Sequence, residues 1–179
     1  MLRLIQSARK FNIKFHVKSV VSLGSWEKNC QYKAIHILET LNKFDENILW
    51  VDADAIFLSY PELFDQMDCD IAYHYLEHRK EILSGTLFLR NNEKVKGLVE
   101  KWIEINSTNN LWDQRNLQTA MEADGSLVNY RLPAEYCRIY DNKYQHLSAE
   151  PIIVHYQASR RFKKQINRGI SNGAWRAAV

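Results

Sequence analysis

Cysteine is scarce and its few copies are scattered. Cys30, Cys69 and Cys137 are odd in number, far apart and without a Cys-x-x-Cys spacing, so neither a disulfide framework nor a zinc knuckle is indicated, and all three read as small buried hydrophobes. Long apolar runs are also missing, which excludes a membrane-spanning helix pattern. The start, Met1-Leu2-Arg3-Leu4-Ile5-Gln6-Ser7, lacks the long apolar centre of a signal peptide, so a soluble protein made in the cytoplasm is expected. There is no internal repeat, linker or low-complexity tract. The 179 residues, 46% of them hydrophobic, suffice for one domain spanning 1–179 with a real core. Acidic residues are absent from 151–179, which carries Arg160, Arg161, Lys163, Lys164, Arg168 and Arg176. With a net charge of +3 overall, the rest of the chain is acidic. The basic C-terminal segment, 159–179, therefore calls for an anionic partner: a phosphate, a membrane surface met peripherally, or a nucleic acid. Stacking aromatics within it are few, Phe162 and Trp175, which disfavours nucleic acid. The plain alternative is a solvated basic helix face.

What is present is an alternation of helical and strand patterns. Met1, Leu4, Ile5 and Ala8 repeat at helical spacing, and Ile13 to Val17 alternates as a strand would. No strand pattern precedes that first helix. A second helix follows Gly24, with Ala34, Ile37, Leu38 and Leu41 on one face, and feeds the apolar run Ile48-Leu49-Trp50-Val51. Ser59, Pro61 and Glu62 give a capping-box start for a short helix over Leu63 and Phe64. Strands are predicted over 70–73 and 85–89. A long helix capped by Asn91 or Asn92 follows, then a polar loop at 107–110, a fourth helix from near Trp112, and short strands within 127–132 and 152–155. The succession predicts an α/β sandwich with a mixed sheet.

The most chemically committed stretch is Asp52-Ala53-Asp54, which ends the apolar run at 48–51. A continuous apolar run reads as a strand buried on both faces inside a sheet, and open α/β sheets bind ligands at such strand ends. On a strand the two acids would point the same way, and paired hard oxygen ligands suit Mg²⁺ or Mn²⁺ holding a diphosphate. Two turn-forming acids closing a strand are the bland alternative.

The ordered set Trp26, Asn29 and Lys33, then Trp50-Val51-Asp52-Ala53-Asp54, Ser84-Gly85-Thr86-Leu87-Phe88, Trp112-Asp113-Gln114, Leu132-Pro133 and His155 resembles the nucleotide-sugar glycosyltransferases of the GT-A fold. It is particularly similar to the bacterial retaining galactosyl and glucosyl enzymes and their nucleotide-diphospho-sugar transferase relatives. The resemblance implies a Rossmann-like sandwich and a donor such as a UDP-sugar, whose diphosphate is held by Mn²⁺ or Mg²⁺ on Asp52, Asp54 and His155. It also implies that Asp113 binds donor hydroxyls, that Gln114 faces the reacting carbon, and that Ser84, Gly85, Thr86 and Lys33 line the donor. Ser159, Arg160, Arg161 and Lys163 would grip the phosphates, with Arg161 at the place of the family's cation and Ala158 where a glycine is usual. The family normally opens with a strand that cradles the nucleotide base. This chain shows none, so part of the base pocket is expected to be missing or supplied by another segment.

Each of these residues also has a structural reading. His155 could be a core histidine, Asp113 a first-turn acid, Lys33 an exposed helix residue and Gly85 the relief of a strand entry. The expected function is metal-dependent, retaining transfer of a hexose to an unknown hydroxyl of a glycan or other acceptor. The alternative is a non-catalytic nucleotide- or glycan-binding module acting as a partner subunit. A sugar nucleotidylyltransferase would need a Gly-rich basic N-terminal loop, which is not seen.

Overall fold

The computed structural model describes residues 1–109, 111–157 and 163. Helix α1, Leu2–Lys10, is followed by an extended stretch and then by α2, Trp26–Lys43, which Ser25 caps by accepting the Lys28 N–H. Strand β1, Ile48–Val51, leads through a turn into β2, Ala55–Phe57. Next come β3, Ile71–Leu76, and β4, Glu81–Leu89. Helix α3, Glu93–Thr108, is capped by Asn92, and α4 covers Asp113–Glu122. The chain closes with β5, Asn129–Arg131, β6, Arg138–Ile139, and β7, Ile153–His155.

These strands form two mixed sheets, in the orders β1-β4-β3-β5 and β2-β7-β6. Helices α2, α3 and α4 bury Ile37, Leu41, Val95, Leu98, Val99, Trp102 and Leu117 against Ile71, Leu87 and Leu89 of the first sheet. Helix α1 covers the second sheet through Ala8, packed with Ala55, Phe57 and Ile153. The α/β sandwich and its mixed sheet are as expected from the sequence. No helix among the described residues is long and apolar enough to cross a membrane.

Three local expectations give way. The β1 run is not an interior strand: it sits at the end of its sheet and is half-buried along its length. Its apolar side chains are used by α1 on one side and the α2 core on the other, so continuous hydrophobicity reflects two packed faces rather than two strand neighbours. Residues 13–17 form no strand. Their alternation is genuine, but Phe15 and Val17 remain 46% and 43% exposed, and among the described residues no strand edge pairs with them. Ser59 does not start an α-helix either. Glu62–Gln66 is a single 3₁₀ turn entered from Pro61 without a side-chain cap.

One irregularity shapes everything that follows. Tyr73 pairs with Leu87 but His74 pairs with Leu83, so Ser84, Gly85 and Thr86 are looped out of the β3–β4 ladder. Bulges of this kind re-aim side chains.

Candidate active site

The two acids reach the site through a turn rather than along a strand. The Asp52 N–H donates to the Gly85 carbonyl at 2.9 Å and the Ala55 N–H to the Asp52 carbonyl at 3.0 Å, which swings the chain from one sheet into the other. Asp52 and Asp54 therefore do not face one way as a strand would dictate. Asp52 Oδ1 accepts from Trp50 Nε1 at 2.8 Å and meets Lys33 Nζ at 2.9 Å. Asp54 Oδ1 lies 3.9 Å from His155 Nδ1.

Lys33 is the centre of the first group. Its ammonium touches Asp52 Oδ1 and Asp113 Oδ2, each at 2.9 Å, and donates to the Ser84 carbonyl and hydroxyl, each at 3.0 Å. Ser84 Oγ passes its own proton toward Asp113 Oδ2 at 3.0 Å. The Lys33 side chain is only 9% exposed, which rules out the exposed-helix reading. Burial opposes its charge, yet Asp113 and Asp52 outweigh burial and raise its pKa above the usual lysine value. Asp113 is both a first-turn acid of α4 and a buried partner in this cluster. Gln114 accepts the Ser84 N–H through Oε1 at 3.3 Å, a bond the bulge makes available.

His155, at the end of β7, carries the second group. It is buried, with Nε2 2.8 Å from Thr86 Oγ1. Burial disfavours its imidazolium, but Cys137, Asp54 and Asp52 act against burial and raise its pKa to about 10. The ring lies directly under Gly85: a Cβ built there would sit 3.0 Å from Cε1 and 3.1 Å from Nδ1. Gly85 thus serves the imidazole and not merely a strand entry. Gly85→Ala should push the ring aside and cost about 1–3 kcal/mol through overpacking. We expect it to weaken any cation binding at His155 more than it lowers the melting temperature, and a normal cation affinity in Gly85→Ala would show that the ring position does not matter.

Several positioning residues carried no motif. Trp102 Nε1 donates to the Asp113 carbonyl at 2.7 Å, and Asn116 Nδ2 bonds Asn106 and Asn109 at 2.7 and 3.0 Å, which fixes the start of α4. Trp50 is the exception that could have been read, because Trp50 and Asp52 are two apart on one chain segment. Lys163 pairs with Glu27 at 2.9 Å and lies over the Trp26 ring at 4.4 Å, so its ammonium is held at the start of α2. Ser159, Arg160 and Arg161 lie outside the described residues. Cys30 and the other cysteines are free, and burial first of all pushes the Cys30 thiol up to about 12, leaving it unreactive.

Among the described residues, no three His, Cys, Asp or Glu side chains come close enough together to hold a metal ion. Two of the expected three ligands do converge. At 3.9 Å, Asp54 and His155 are too far apart for a hydrogen bond, yet two ligands each about 2.1 Å from one cation can be up to roughly 4.2 Å apart. Asp52 and Asp113 share the Lys33 ammonium, and Asp54 faces His155.

The sequence matches the family model described as nucleotide-diphospho-sugar transferase over residues 16–168. No curated protein matches it. Among solved structures, a glycosyltransferase involved in the glycosylation of the major capsid of PBCV-1 is similar with a TM-score of 0.64 and 11% identity, covering 92% of this chain and 88% of that one. Mouse xyloside xylosyltransferase 1 in its apo form gives a TM-score of 0.50 at 13% identity, with 72% of this chain and 64% of that chain covered. Both likenesses are of fold.

Proposed function

The chain belongs to the nucleotide-diphospho-sugar transferase family and has a GT-A-like α/β fold, and from that premise we propose that it moves a hexose from a UDP-sugar to a hydroxyl acceptor, retaining the anomeric configuration, with Mn²⁺ or Mg²⁺ bound. The observation that carries this reading is the meeting of two groups at the Gly85 bulge, Lys33–Asp52–Asp113–Ser84 on one side and Asp54–His155 on the other. Asp54 and His155 would hold the cation, and Asp52 would complete a set of two carboxylates and one imidazole that suits Mn²⁺ only by turning away from Lys33. The cation would supply positive charge to the departing diphosphate.

The remaining work falls to the chain itself. Lys33 holds Asp52 and Asp113 in place through its two ion pairs. Asp113, with Oδ2 fixed by Lys33 and Ser84, offers Oδ1 to the hydroxyls of the donor sugar. Gln114, anchored through Oε1, presents a fixed carboxamide beside the reacting carbon. Prepaid placement of this kind is where most of the rate enhancement in group transfer resides.

The deciding experiment is a screen of common sugar nucleotides with Mn²⁺, following nucleotide release. We expect turnover with a UDP-hexose and none after chelation. Asp54→Asn should weaken Mn²⁺-dependent UDP binding about tenfold or more while the fold survives, because a turn acid contributes little packing. Unchanged calorimetric affinity in folded Asp54→Asn protein would remove the cation from this site, and absence of turnover with every donor would leave a nucleotide-binding module.

A further inference from the structure

Beyond the ends of β6 and β7 stands a pair of tyrosines that the donor site does not use. The ring centroids of Tyr140 and Tyr156 are 5.0 Å apart and tilted by 30°, and Tyr140 is 66% exposed. Both are tied by backbone to the candidate site: the Tyr140 N–H donates to the His155 carbonyl at 3.0 Å, and the Tyr156 N–H to the Asp54 carbonyl at 3.3 Å. Another aromatic contact joins Tyr144, 67% exposed, to His78 at 4.8 Å between centroids.

This surface is built, not frayed. Arg138 Nη1 donates to the carbonyls of Asn142 and Gln145 at 2.8 and 2.9 Å. The buried Gln145 side chain accepts the Ile139 N–H at 2.7 Å and donates to the Cys137 carbonyl at 2.9 Å. Gln157, immediately after Tyr156, sits at φ 50°, a left-handed conformation that a non-glycine residue holds only when its surroundings impose it. Large exposed aromatics on a pinned loop cost free energy in water, which makes them informative.

Resting on the transferase reading above, we propose that Tyr140 and Tyr156 form the acceptor platform, taking a pyranose ring of the incoming glycan. A pyranose offers an apolar C–H face that sits on an electron-rich ring face, while its hydroxyls reach water. Position favours the acceptor over the donor. The Lys33 and Asp113 side chains are buried while Tyr140 is exposed, and the tyrosines begin where Asp54 and His155 end. No charge is demanded of the ligand, which fits a neutral sugar better than a phosphate.

The test uses methyl β-galactopyranoside, methyl β-glucopyranoside and methyl α-mannopyranoside as probes, titrated against the protein by saturation-transfer NMR. At least one should bind through its ring protons, and Tyr140→Ala should lower that affinity about tenfold, with Tyr140→Phe close to wild type. Absence of binding by all three pyranosides, or binding that Tyr140→Ala leaves unchanged, overturns the platform. UDP titration with Mn²⁺ supplies the second arm: loss of UDP affinity in Tyr140→Ala would place a nucleobase on these rings and also overturn it. Pyranoside binding that depends on Tyr140, in a protein that turns over no donor, would uphold the platform and sink the transferase reading instead.

Discussion

Lys33→Met should lower stability by about 3 kcal/mol or more, the cost of leaving buried carboxylates without their cation, and so reduce the melting temperature by roughly 10 °C in a chain of this size. The lower end of the range for buried pairs is appropriate because Asp113 is 8% exposed but Asp52 is 36% exposed and keeps some water. The pH dependence follows from the direction of the shift. Lys33 has its pKa raised in the folded state, so its contribution is complete at neutral pH and is lost only when pH climbs past the unfolded lysine value and through the raised one. In Lys33→Met that dependence is lost, and Asp52 and Asp113 are left without the cation they share. The double variant Lys33→Met with Asp113→Asn should recover part of the loss. Urea titrations at several pH values read all of this, and a neutral effect of Lys33→Met would mean that the cluster is not held by charge.

Asp113→Asn and Gln114→Ala should lower the turnover number by about a hundredfold or more, the effect of removing a group aimed at the transition state. UDP with Mn²⁺ should still bind, because the contacts of these residues lie beyond the phosphates. Stability separates this outcome from a structural role. Asp113 would cost about 1 kcal/mol or less if it were only a first-turn acid. The bonds to Lys33 and Ser84 raise the expectation to roughly 1–3 kcal/mol, and Gln114→Ala adds an unpaired Ser84 N–H. Normal turnover per folded molecule in both variants would take them out of the chemistry.

The elements were largely legible because their signals are local. Helix α2 announces itself by its apolar face after Gly24, α3 by the pair Asn91 and Asn92, of which Asn92 is the cap, and Asp52-Ala53-Asp54 by chemistry placed at a strand end. What could not be read depends on partners distant in sequence. The alternation at 13–17 predicts a strand, but a ladder needs a neighbouring edge. The facing directions of Asp52 and Asp54 depend on a turn closed by Gly85, over thirty residues away. Lys33 left one clue: it falls on the same helical stripe as Ile37 and Leu41, where a lysine must find an anion to be tolerated. In the sequence Gly85 reads as part of the donor lining or as the relief of a strand entry, and the structure sets the imidazole of His155 against it.

The looped-out stretch of β4 also alters what protects its backbone. Before Gly85 the strand has no β1 partner, and the Ile82 and Ser84 N–H groups are received by the side chains of Gln118 and Gln114, one helical turn apart on α4. Two amides in the interior of a strand are thus guarded by a helix surface. Their exchange with solvent deuterium is governed by the lifting of α4 and not by the opening of the sheet. They act as built-in reporters of whether the helix that carries Asp113 is seated.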